Sequence, residues 1–297
     1  MSAAPLILQT LLGEYPNTRA LRSGVLQNPH FSLALADVKV PNRAFKRVVR
    51  ALDFDVAELA LVTFLQARDQ GKPLRLLPAV VGAGRHQHHC LVCLRERALK
   101  PADLPGKRIG IRAWQQTTVT WVRGILAEEH GLDLGAVQWV TFEDGHVAEC
   151  LDPPGVLRDE SGRSAYELLL AGELDAAIIG TDLPDDPRLV PVIDSPHEAA
   201  MAWAQRHQLV PINHMVVVHD RLCREHPEVV RGVYQALCES RDQAQGLTAQ
   251  ERALTPFGVE PNRAALELLI DYCVHQSLIA RRPSLDEIFA DFNALCL

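Results

Sequence analysis

Residues 85–90 read Arg-His-Gln-His-His-Cys, three histidines within four positions, flanked by a guanidinium and a thiol. Imidazole binds metals and also exchanges protons near neutral pH, so the run is open to a metal site, an acid/base site or a polar rim. Read as a strand leading into CLVCL, it turns His86 and His88 to one face and Arg85, Gln87 and His89 to the other. A divalent metal would then take His86, His88 and a third ligand from elsewhere, such as His214. Cys90 and Cys93 have CxxC spacing, but on a strand they point to opposite faces, which argues against joint metal or redox use.

A second constellation is IRAWQQTTVTWVRG at 111–124. A strand (KRIGIR), a polar turn carrying Gln116 and a helix starting near Thr117 would aim unpaired main-chain N–H groups at an anion. Thr117 or Thr118 can cap that helix and donate a hydroxyl, and Arg112 at the strand end can grip a carboxylate with two parallel bonds. The plainer alternative makes Thr117 only a cap and Arg112 a surface ion pair. Trp114 either stacks on a ligand ring or packs under the turn, whereas Trp121 and Arg123 read as structural. Elsewhere, PINHMVVV sets His214 just before an apolar strand, and FGVEPNR offers Glu260 and Arg263, with Pro261 suited to the first helical position. Thr10 and Tyr15 after the first strand, and Glu58 and Thr63 around FDVAELALVTF, are further candidates.

These groups need a scaffold, and the apolar periodicity supplies one. PLILQTLL, FSLALADVKV, FDVAEL, KPLRLLPAVV, KRIGIR, QWVTF, DAAIIG, RLVPVI and NHMVVVHD read as strands. Between them lie helical stretches: NTRALRSG closed by Gly24, NRAFKRVVRAL, ALVTFLQARDQ, TTVTWVRGILAEEH ended by Gly131, and SAYELLL, with a long helical tail from Pro227. That alternation is the rhythm of an α/β protein with largely parallel sheets, whose ligands gather beyond the carboxyl ends of strands. Two apolar strands run out into threonine, at Thr63 and Thr181, and suggest one such edge in each of two lobes.

Composition excludes several classes. A formal charge of −7 lacks the basic excess a nucleic-acid partner requires. No window approaches the 18 apolar residues of a membrane span, and MSAAPLILQTLLGEYPNTRA has no basic leader, so a cytoplasmic protein is expected. Seven cysteines, an odd number and mostly in apolar segments, fit reduced thiols. GAGRHQ lacks the third glycine and the following helix of a dinucleotide loop, so no organic cofactor is expected, while a divalent metal stays open. A homo-oligomer is compatible with the sequence.

TRALRSG, FDVAEL, the HHC segment, DLPGKRIGI followed by WQQTTVTWVRGILAEEHGL, PINHMVVV and FGVEPNR occur in an order that resembles the 4,5-dihydroxyphthalate decarboxylases. The resemblance implies a non-exported, two-lobed fold like type II periplasmic binding proteins, each lobe a mixed, mostly parallel sheet flanked by helices, with a hinge and central cleft. Lobe one would hold 1–104 and 216–297, and lobe two 105–215. It implies a carboxy-lyase acting on a dihydroxyaromatic dicarboxylate, with family histidines at His88 and His214 sharing the proton transfers. Arg112, Trp114, Gln116, Thr117, Thr118, Thr10, Tyr15, Thr63, Glu260 and Arg263 would line the cleft. Pro16 and Asn17 stand where that family carries an aspartate and an arginine, and Gln87 where it has an arginine. The rival readings are a non-catalytic binding protein for a small carboxylate, a lyase of the menaquinone-pathway kind on the same fold, and a ligand-sensing regulatory domain. The last lacks room for a DNA-binding helix pair before the first strand.

Overall fold

The computed structural model describes residues 4–180, 183–244 and 247–295; Thr181 and Cys296, both singled out in the sequence, lie outside the described residues. Eleven strands are described: β1 (Leu6–Leu11), β2 (Phe31–Leu35), β3 (Val56–Ala60), β4 (Leu74–Val80), β5 (Leu91–Leu94), β6 (Arg108–Ile111), β7 (Gln138–Thr141), β8 (Leu157–Arg158), β9 (Ala176–Ile178), β10 (Leu189–Pro191) and β11 (His214–His219). The helices are α1 (Arg19–Arg22), α2 (Leu61–Asp69), α3 (Thr117–His130), α4 (Ala165–Leu170), α5 (Pro196–His207), α6 (Asp220–Glu225), α7 (Pro227–Asp242), α8 (Ala249–Ala253), α9 (Val259–His275), α10 (Leu285–Ile288) and α11 (Ala290–Ala294). Among the described residues no helix is long and apolar enough to cross a membrane.

The chain divides into two compact units, residues 1–85 with 212–297, and residues 86–211. Both boundaries fall earlier than the expected 104/105 and 215/216. β5 is the reason for the first shift, because it hydrogen-bonds to β9 and β10 and so belongs to the second sheet.

The first unit is built on a five-stranded sheet ordered β2-β1-β3-β11-β4. β1 runs parallel to β2 and β3, while β11 inserts antiparallel between β3 and β4. All five residues of central β3 are buried, as expected of a strand covered on both faces, yet its third residue is Glu58. A carboxylate there must find donors or it costs several kcal/mol. β3 stops at Ala60 and α2 begins at the next residue, so Thr63 is the third residue of a buried helix and does not end a strand. An unbroken apolar run does not mark where a buried strand becomes a buried helix.

The second unit has a six-stranded sheet ordered β10-β5-β9-β6-β7-β8, in which β9, β6, β7 and β8 are parallel and β5 alone runs the other way, antiparallel to both β9 and β10. The helix at α4 rides close over β6: a Cβ on Gly110 would lie 2.6 Å from Leu174 Cδ1 and 3.3 Å from Ala165 Cβ. α3 ends as its sequence predicts, on Gly131 in the left-handed conformation.

Three local readings are corrected. NRAFKRVVRAL forms a 3₁₀ turn and a π turn ended by left-handed Leu52, not an α-helix. α9 starts at Val259 after Gly258, which puts Pro261 third in the helix, still within the first turn where a missing N–H costs nothing. The HHC segment is a 3₁₀ turn, His88–Cys90, with the strand starting only at Leu91. The alternating faces expected for His86, His88 and His89 therefore do not apply.

Candidate active site

In the first unit the buried carboxylate of Glu58 gathers three groups. The Gly13 N–H donates to Oε2 at 2.9 Å, the Tyr15 hydroxyl donates to Oε1 at 2.7 Å, and His214 Nδ1 lies 2.7 Å from the same Oε1. The register accounts for the last contact. Glu58 pairs with Val216 across β3 and β11, so His214, two residues away, is its diagonal neighbour on the same face, within reach of a long side chain. Glu58 is fully buried, while 27 % of the His214 side chain stays exposed, with the Phe45 ring standing edge-on to it at 5.2 Å between centroids.

The chain leaving β1 is shaped to deliver Tyr15. Thr18 Oγ1 accepts from the Tyr15 N–H at 2.9 Å and donates to the Gly13 carbonyl at 2.7 Å, closing a tight turn. The Tyr15 ring lies so close over Gly13 that a Cβ there would sit 2.5 Å from it, so glycine is required by space alone. Burial and the neighbouring Glu58 charge push the Tyr15 hydroxyl well above its ordinary pKa, which keeps it a proton donor. Asn17, in the position where the resembling family has arginine, is buried and donates from Nδ2 to the Val80 carbonyl at 2.9 Å. It has become part of the frame.

The other candidates of this unit are placed apart from that cluster. Thr10 is buried and returns its hydroxyl to the Leu8 carbonyl at 2.9 Å. Arg263 Nε donates to Glu260 Oε2 at 3.0 Å on the exposed face of α9, and Glu267 adds a second carboxylate at 3.4 Å. This is an intrahelical ion-pair cluster, with Glu260 in the first turn of α9.

In the second unit His88 is 2 % exposed, and neither ring nitrogen has a hydrogen-bond partner among the described residues. Its ring meets the edge of Trp203, at 5.9 Å, on α5. Desolvation, with the neighbouring His86 second, pulls the His88 pKa down to about 4, so the imidazole is neutral at physiological pH. His86 is half-buried, its Nδ1 also lacks a partner, and burial lowers its pKa as well. Among the described residues no three His, Cys, Asp or Glu side chains gather as a metal site would require. Trp203 was missed by sequence reading because α5 was missed. Ser195-Pro196 followed by Glu198 was the available signal for a helix start.

The α3 constellation is partly corrected. Gln116, not a threonine, is the N-cap, and it makes no side-chain cap bond; Thr117 and Thr118 are the first two helical residues, both buried. Gln116 Oε1 has no partner, and Arg112 Nε makes no hydrogen bond, with Glu143 Oε2 3.9 Å away. Trp114 is the packing alternative: its ring lies under the Arg123 guanidinium at 3.6 Å and edge-on to Trp139. Arg123 is fully buried and donates to the Trp114 carbonyl at 2.8 Å, so the turn is clamped from beneath.

No family model matches the sequence. The alkanesulfonate-binding protein SsuA from Xanthomonas axonopodis pv. citri, bound to MOPS, superposes with a TM-score of 0.56 at 15 % identity, covering 97 % of this chain and 98 % of that one. A mutant of the desulfurization enzyme DszB in complex with biphenyl-2-sulfinic acid gives 0.56 at 19 % identity over 96 % and 99 %. A Candida albicans protein with the generic periplasmic binding protein structural fold gives 0.53 at 13 % over 97 % and 95 %. Two mixed sheets flanked by helices therefore make this an α/β protein of the periplasmic-binding-protein fold. In sequence, the chain is 30 % identical over 251 residues to a 4,5-dihydroxyphthalate decarboxylase of Comamonas testosteroni, covering 79 % of this chain and 74 % of that protein. It is 30 % identical over 225 residues to the Pseudomonas putida protein of the same name, covering 68 % and 85 %. The chain belongs to the 4,5-dihydroxyphthalate decarboxylase family, a family of carboxy-lyases.

Proposed function

We propose that this protein removes one carboxylate from a dihydroxyaromatic dicarboxylate such as 4,5-dihydroxyphthalate, with His214 as the group that moves the proton. The observation that carries this reading is the imidazole of His214, part-exposed and 2.7 Å from a carboxylate that has no exposure at all. Such a pair holds a base in one orientation and steadies the cation it becomes.

Loss of CO2 from an aromatic ring needs a proton at the carbon that bears the carboxylate. The para hydroxyl supplies the electrons once it is deprotonated, and an imidazole can perform both transfers. In the second unit, Arg112 and the start of α3, with Gln116, Thr117 and Thr118, are proposed to bind a carboxylate. His88, buried against Trp203 and neutral, is not proposed as a second acid. The chemistry asks for no organic cofactor, and turnover is expected to survive dialysis against a chelator.

Purified protein incubated with 4,5-dihydroxyphthalate should release CO2 and form protocatechuate. His214→Ala should lower kcat by about 100-fold or more, the usual share of a general acid/base, with thermal unfolding little changed. Substrate that binds and is recovered intact would make the chain a binding protein instead.

A further inference from the structure

We propose that Glu58 is a positioning residue that keeps the proton of His214 on Nδ1, so that the resting imidazole presents a bare Nε2 and acts as a base before it acts as an acid. This rests on the reading of His214 as the proton-moving group. The main-chain N–H of Gly13 can only donate, and it occupies Oε2 at 2.9 Å. Tyr15, a phenol whose ionisation its burial opposes, donates to Oε1 at 2.7 Å. An ionised carboxylate offers only lone pairs to its next neighbour, and with a donor already on each oxygen Glu58 is taken in that form. That neighbour is His214 Nδ1, 2.7 Å from Oε1, and its half of the bond must therefore be N–H.

One donor on Nδ1 leaves Nε2 as the only acceptor of a neutral ring. The Phe45 ring, edge-on at 5.2 Å and near 81°, restrains the imidazole plane, so the ring cannot flip to exchange its nitrogens without leaving Glu58.

The order of events follows. Nε2 first takes the proton of the substrate hydroxyl: an O–H bond breaks and an N–H bond forms, giving an imidazolium paired with the Glu58 carboxylate. The phenolate electrons move through the ring to the carbon para to that oxygen, which takes the Nε2 proton. The bond from that carbon to the carboxylate then breaks, CO2 leaves, its bonding electrons return to the ring and restore the phenolate, and solvent supplies the proton that completes the product. His214 ends as it began. The opposite tautomer, with Nε2–H, would have a donor facing the hydroxyl and no means of starting.

Nitrogen-15 correlation spectra of the full chain labelled at histidine, with the His214 signals assigned by their loss in His214→Gln, read the tautomer directly in the absence of substrate. The expected result is protonated Nδ1 and bare Nε2, shifting toward a mixture in Glu58→Gln. Glu58→Gln should also lower kcat by about 100-fold or more with KM nearly unchanged, and Glu58→Asp should recover part of it. A wild-type spectrum dominated by Nε2–H overturns the proposal even if CO2 is released. The expected tautomer without CO2 release leaves Glu58 in its role and removes the decarboxylase reading alone.

Discussion

His88 and His214 show how far two imidazoles of one chain can diverge. His214 gains a carboxylate and keeps part of its surface; His88 loses its water and gains nothing to bond. The second case has a consequence for stability. With a folded pKa near 4 against an ordinary 6.5, His88 refuses a proton that the unfolded chain accepts throughout that interval. Stability therefore falls as pH drops from about 6.5 to about 4 and levels off below, by about 3 kcal/mol over the whole interval if His88 alone is counted. Urea titrations at pH 7.5 and pH 4.5 on wild type and His88→Leu check this: the variant should lose less stability than the wild type on acidification. Equal losses would remove His88 as the cause. The same cluster explains why Trp203 matters, since its ring is the apolar wall that keeps His88 dry.

At the scale of elements, the active-site candidates are positioned by strand register and by close contacts that only glycine permits. β11 enters the first sheet antiparallel between β3 and β4, and one step of slippage along β3 would turn His214 to the face opposite Glu58. In the second sheet, β6 carries the chain to Arg112 and α3, and its depth under α4 depends on Gly110. Gly110→Ala places a methyl 2.6 Å from Leu174, whose side chain is packed and buried, so a loss of roughly 1–3 kcal/mol is expected in chemical denaturation. Because the strain lies in the strand that leads to the α3 turn, weaker substrate binding should accompany it. Unchanged stability would mean that α4 moves aside freely.

Across the whole molecule, the two units differ in how the chain builds them. Residues 86–211 are contiguous and contain every strand of their sheet, whereas the first unit needs both ends of the chain, because β11 lies between β3 and β4. A fragment of residues 86–211 is therefore expected to unfold cooperatively on its own, and a fragment of residues 1–85 to remain largely unfolded; circular dichroism across a urea series distinguishes them. Much of this was legible beforehand. Alternating apolar strands and helices, Gly131 as a helix stop, His214 before the apolar run MVVV and the family resemblance all depend on local pattern or on residue identity in order, and both are carried by the one-dimensional string. The turn at His88–Cys90 and the boundary at 85/86 were not, since each is decided by segments far apart in the chain. Glu58 marks the division most sharply: a lone acid in an apolar run announces that something must satisfy it, but which donors do so depends on strand pairing and on the turn after β1. Residue types and their periodicity determined the fold class and the chemistry within reach; only the folded chain, through strand pairing and the turn after β1, brought Gly13, Tyr15 and His214 to one buried carboxylate.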